Sequence, residues 1–106
     1  KDDFTLLMTY AQLLHEDGQN DLALRQIEAA AKKTSNPEEV EQVLVARIKV
    51  YQATEKLPDQ IAALEKDLAA GTDATADRFL QLARFYEANR QLDKATEAIA
   101  RAGEKD

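Results

Sequence analysis

The sequence predicts an all-α fold of three antiparallel helical hairpins, and three observations lead there. The first is the apolar inventory: 19 Ala and 13 Leu stand against 4 Val and 4 Ile, with 3 Gly and 2 Pro in 106 residues. Alanine and leucine favour helix, and so few β-branched residues leave little material for a sheet. The second is a pattern that returns at a fixed offset. Leu7, Tyr10, Ala11 and Leu14 recur 72 residues later as Phe79, Leu82, Ala83 and Tyr86, each set laid out along one helical face. Ala23, Ile27 and Ala30 recur at the same offset as Ala95, Ile99 and Ala102. The third is punctuation, with turn and capping residues spaced for six helices.

Taken in order, the helices are expected near 3–16, 20–34, 37–54, 58–70, 74–88 and 92–102. Gly18, Gly71 and Gly103 fall just past helical patterns, where a left-handed residue closes the last turn. Asn36-Pro37-Glu38-Glu39 offers a capping side chain, a proline at the first helical position and a carboxylate able to reach back. Pro58 can open the fourth helix in the same way, and Thr72 or Asp73 can cap the fifth. The middle hairpin is less regular. Leu44, Ile48 and Tyr51 form a helical face, and Tyr51-Gln52-Ala53 before Leu57 echoes Tyr86-Glu87-Ala88 before Leu92. Ile48 and Gln60, however, stand where the outer hairpins carry alanine, and the face of Ile61, Leu64 and Leu68 is shifted by about one residue. The organisation expected is one domain, 1–106, with units near 3–36, 37–71 and 72–106.

Composition also bounds function. The absence of cysteine removes disulfides, thiol catalysis and thiolate metal sites, and leaves a cytoplasmic or a periplasmic location equally compatible. A net charge of −6 argues against nucleic acid as a partner, because binding there rests on neutralising phosphates. Arg78, Arg84 and Arg90 step by six residues and do not share a helical face. No apolar run approaches a membrane span. The chain starts at Lys1 rather than Met, so we expect a segment of a longer protein.

Residues for catalysis are scarce. His15 is the only histidine and Ser35 the only serine, and nothing pairs them as base and nucleophile. Glu38-Glu39-Val40-Glu41 is a charge run at a helix start, where carboxylates suit the macrodipole, rather than a metal site. Three scattered glycines make no phosphate-binding loop. The expectation is therefore a protein without enzymatic activity, cofactor or metal.

The paired small residues Ala11/Ala23 and Ala83/Ala95, with Leu7, Leu14, Ile27, Phe79, Tyr86 and Ile99 around them, resemble the tetratricopeptide repeat. That family is built of helix–turn–helix units stacked into a right-handed superhelix. The resemblance covers roughly residues 4–103 as three units, averaging 36 residues against the family's usual 34. It implies that Ala11 packs on Ala23 and Ala83 on Ala95. It also implies that the first helix of each unit lines a concave surface. Physical reasoning agrees on the packing: alanine at a crossing lets two backbones approach, and Ala83→Leu would overpack it at a cost of about 1–3 kcal/mol.

A second stripe on the first helices then becomes a candidate groove. Met8, Val45 and Leu80 form an apolar floor, followed by Gln12, Lys49 and Arg84 and, at the next turn, by His15, Gln52 and Glu87. Such a strip could hold a peptide or protein segment, with Lys49 and Arg84 orienting an acidic one. The alternative reading is that the floor residues pack between neighbouring units and the polar ones form a solvated face. Met8, Gln12, Val45 and Lys49 do not match the lysine and asparagines with which some family members grip a C-terminal carboxylate. A competing role is structural: a segment of a longer array whose ends stack on further repeats or self-associate, since Ala95, Ala98, Ala100 and Ala102 leave the last helix without a polar cover.

Overall fold

The structure, a computed structural model, describes residues 3–34 and 36–105, so Ser35 lies outside the described residues. The described residues form six helices: α1 (Asp3–Glu16), α2 (Asn20–Ala31), α3 (Pro37–Ala53), α4 (Leu57–Ala69), α5 (Ala76–Ala88) and α6 (Leu92–Lys105). No strand occurs among the described residues. The chain divides into two compact units, Lys1–Thr54 and Glu55–Asp106. In the first, α1 packs on α2, α2 on α3, and α1 also touches α3; in the second, α5 packs on α6 and α4 on α5.

Local chemistry explains the boundaries. Asn36 caps α3, its Oδ1 accepting from the Glu39 backbone N–H at 2.8 Å, with Pro37 at the first helical position. The fifth helix starts later than expected. Thr75, and neither Thr72 nor Asp73, caps it by accepting from the Arg78 N–H at 3.3 Å. Asp73 instead takes a left-handed conformation, φ 53°, within the preceding turn. The second helix ends at Ala31 rather than 34. Gly103, expected beyond the sixth helix, lies inside α6, which continues to Lys105. A glycine permits a left-handed stop but does not impose one.

The residue after each first-helix cap is left-handed: Gly18 at φ 80°, Glu55 at 59° and Arg90 at 63°. In the first, Gln19 N–H donates to the Leu14 carbonyl at 2.8 Å; in the third, Gln91 N–H donates to that of Tyr86 at 2.8 Å. The neighbouring bonds, Gly18 to His15 and Arg90 to Glu87, are both 3.0 Å. These are the paired closing bonds of a Schellman turn, repeated at the offset read from the sequence. Glycine fits the left-handed position without penalty, whereas Glu55 and Arg90 crowd their Cβ atoms there.

The cores follow the alanine pattern. Ala11, Ala23, Ile27 and Ala30 are buried with Phe4, Leu14, Val43 and Val50 in the first unit, and Leu7 and Met8 pack partly against them. In the second unit Phe79, Leu82, Ala83, Phe85, Tyr86, Ala95, Ala98 and Ala102 are buried alongside Leu57, Ile61, Leu64 and Leu68. Two members of the expected faces are exposed. Ile99 is 54% exposed and Tyr10 52% exposed. Ile27, the counterpart of Ile99, is covered because α3 packs on α2; in α6 the buried side is the one turned to α5, carried by Ala95, Ala98 and Ala102.

Polar ties join neighbouring helices within each unit. Arg47 on α3 grips Glu28 on α2 through Nε at 2.6 Å and Nη2 at 2.5 Å. That bidentate bond holds the guanidinium pKa above its ordinary value, against the opposing effect of burial. On α5, Tyr86 donates its hydroxyl to Glu65 of α4. Burial first, and this bond second, push its phenol pKa upward. Arg101 of α6 lies 4.9 Å from the Phe79 ring centroid.

Candidate functional site

Residues four and three apart share a helical face, so Met8, Gln12 and His15 project from one side of α1. Val45 and Lys49 share a side of α3, with Glu41 a turn earlier. Because α1 and α3 both pack in the first unit, these two faces border a common cleft of about 480 Å3. Its apolar lining comes from Met8 and Ala11 of α1, Ile27 of α2, and Val45, Ala46 and Val50 of α3. Its polar lining is Gln12, His15 and Glu16 on one side and Glu41, Gln42 and Lys49 on the other. Buried Ala11, Ile27 and Val50 form the deepest layer, and half-buried Met8 and Val45 lie above them.

The polar edge is partly organised. Gln12 Nε2 donates to Glu16 Oε2 at 3.1 Å, which holds the amide along the helix surface. His15 Nδ1 lies 2.8 Å from Asn20 Oδ1. A carbonyl oxygen only accepts, so Nδ1 carries the hydrogen, and in the neutral ring Nε2 is the acceptor. With Glu16, Glu41 and Lys49 all present, the edge can meet hydrogen-bond donors, acceptors or either sign of charge.

Of the nine residues expected to form the strip, the first unit thus brings together Met8, Gln12, His15, Val45 and Lys49. Gln52, exposed on the last turn of α3, is not among the residues lining the cleft. Leu80, Arg84 and Glu87 form a strip of their own on α5 in the second unit. There Leu80 is 45% exposed and Arg84 Nε lies 3.6 Å from Glu87 Oε1. The sequence reading missed Glu16, Glu41, Gln42, Ala46 and Val50, although Glu41 and Gln42 stand one turn before Val45 and Ala46 on α3. It had placed Ala11 and Ile27 in the core, where they are; the same side chains also floor the cleft.

Among the described residues no group of three or more His, Asp or Glu side chains is placed to hold a metal ion. No described helix is long and apolar enough to cross a membrane. Compared with protein-family models, with curated proteins and with solved structures, the chain matches none of them.

Proposed function

We propose that this protein is a non-catalytic scaffold of tetratricopeptide-like helical hairpins that holds a peptide segment of a protein partner in the α1–α3 cleft. The stacking of its hairpins into a right-handed superhelix belongs to the same reading. One observation carries the function: two first helices, read as equivalent from their spacing, present an apolar floor edged by long polar side chains in one concavity. Its volume, about 480 Å3, falls within the range of binding pockets and suits one or two large apolar side chains. Gln12, Gln42 and Lys49 can bond the backbone or polar groups of a segment whose anchor enters between Met8 and Val45. The turns after α1 and α5 support the repeat reading, since both close through a left-handed residue and the same pair of backbone bonds at equivalent places.

The test is selection of binders from a random peptide library, followed by titration of the best against wild-type protein and Val45→Arg. A guanidinium on the floor should weaken binding by at least about tenfold, roughly 1.4 kcal/mol, while the circular dichroism spectrum stays unchanged. A library that yields no binder, or a binder indifferent to Val45→Arg, overturns this assignment.

A further inference from the structure

The turn that closes the first hairpin brings two polar side chains together. Gly18 N–H donates to the His15 carbonyl at 3.0 Å and Gln19 N–H to that of Leu14 at 2.8 Å. The chain therefore reverses tightly, and α2 opens at Asn20 beside the last turn of α1. His15 Nδ1 lies 2.8 Å from Asn20 Oδ1, and both residues are half-buried. This bond is not what closes the turn. At the offset of 72 the places of His15 and Asn20 are held by Glu87 and Leu92, which cannot form it. There Arg90 and Gln91 still donate to the Glu87 and Tyr86 carbonyls at 3.0 and 2.8 Å, as in the first turn. The His15–Asn20 pair is thus an addition to the hairpin, and its histidine stands on the edge of the α1–α3 cleft.

The pair fixes what the cleft offers at that edge. An amide oxygen accepts and does not donate, so the hydrogen of the neutral imidazole stays on Nδ1 and Nε2 keeps its lone pair. His15 lines the cleft and Asn20 does not. The ring edge held by Asn20 therefore turns away from the cleft, and the opposite edge, with Nε2, is open to it. Nε2 has no hydrogen-bond partner among the described residues. The charged groups lining the cleft are Glu16 on the same helix and Glu41 and Lys49 on α3, while α2 contributes only Ile27. In the turn itself, Asp17 accepts from Gln19 Nε2 at 2.6 Å.

We infer, on the cleft reading proposed above, that His15 determines specificity there: its Nε2 accepts a hydrogen bond from a hydroxyl or amide N–H that the bound peptide carries beside its apolar anchor. A sign of pH dependence follows. A proton on Nε2 takes the lone pair the peptide needs and sets a donor against a donor, while Nδ1 keeps its bond to Asn20. Proton and peptide compete, so affinity falls as the pH drops through the range in which histidine gains its charge. His15 is the only histidine in the chain.

The probe is an end-blocked peptide selected at about pH 7.5 from a random library made without His, Asp or Glu, so that its own side chains stay unchanged over the range used. Its affinity for the wild type should fall about tenfold by about pH 5.5. His15→Gln, whose amide oxygen accepts but takes up no proton, should show one affinity at both pH values. His15→Phe fills the space without an acceptor. It should bind about tenfold more weakly than wild type at the higher pH and lose nothing further on acidification. Asn20→Leu, which copies the residue opening α6, should also weaken binding at the higher pH by releasing the ring. Circular dichroism at both pH values separates unfolding from these effects. An affinity that does not change with pH, or a change that persists in His15→Phe, overturns the inference; if Val45→Arg still abolishes that binding, the cleft reading survives. A library that yields no binder overturns both. Heteronuclear NMR of the imidazole in the free protein is an independent check: the hydrogen should sit on Nδ1 at neutral pH, and a ring carrying it on Nε2 also overturns the inference.

Discussion

Phe79→Ala is expected to destabilise the second unit by about 3–5 kcal/mol, a large share of what holds a domain of this size together. The ring is 2% exposed and among the largest fully buried side chains, set in α5 where α6 packs. Around it the core is unusually poor in bulk: α6 contributes only Ala95, Ala98 and Ala102. Small side chains cannot swing in to fill the space a phenyl ring leaves, so the cavity term adds to the lost transfer energy. Removal of the ring also strips Arg101 of its cation–π partner. Urea denaturation followed by circular dichroism measures the loss, and a change below about 1 kcal/mol would mean that Phe79 does not hold this core together.

The second large effect is a contrast between two isoleucines at equivalent positions. Ile27 is 1% exposed beneath α3, and Ile27→Ala should cost about 2–5 kcal/mol. Ile99 is 54% exposed, and Ile99→Ala in dilute solution should stay within about 0.5 kcal/mol of wild type. The same chemistry is removed from the same place in the hairpin, so any difference comes from the helix that covers one and not the other. Equal losses in thermal or urea unfolding would contradict the burial assigned to these two positions.

That contrast also shows what a sequence can and cannot reveal. Helical period places Ile27 and Ile99 alike, because period reports a face and not what lies against it. The alanines were legible for a different reason: at a crossing, size is what the backbone geometry selects, and Ala11, Ala23, Ala83 and Ala95 are all buried. Asn36-Pro37 marked the α3 start correctly because cap and proline agree. Thr72, Asp73 and Thr75 are all competent caps, and only the left-handed turn at Asp73 leaves the role to Thr75. Gly103 misled because a helix accepts a glycine in its last turns at modest cost.

The candidate site was half legible for related reasons. Met8, Gln12, His15, Val45 and Lys49 came from matching positions on first helices, and they do line one cleft. Ala46, Glu41 and Gln42 join them because α3 turns a broad side toward α1, and the width of a shared face is not written in spacing alone. Leu6, Tyr10 and Leu13 carry the reverse lesson. Tyr10 was expected inside with Leu7 and Ala11, yet it is exposed, as are Leu6 and Leu13 on the same side of α1.

The account rests on a hairpin brick closed by small side chains, and methyl-resolved NMR on alanine-labelled protein tests that most directly. It predicts strong through-space cross-peaks between the methyls of Ala11 and Ala23, and between those of Ala83 and Ala95. Absence of either cross-peak, with both methyl pairs assigned, would contradict it.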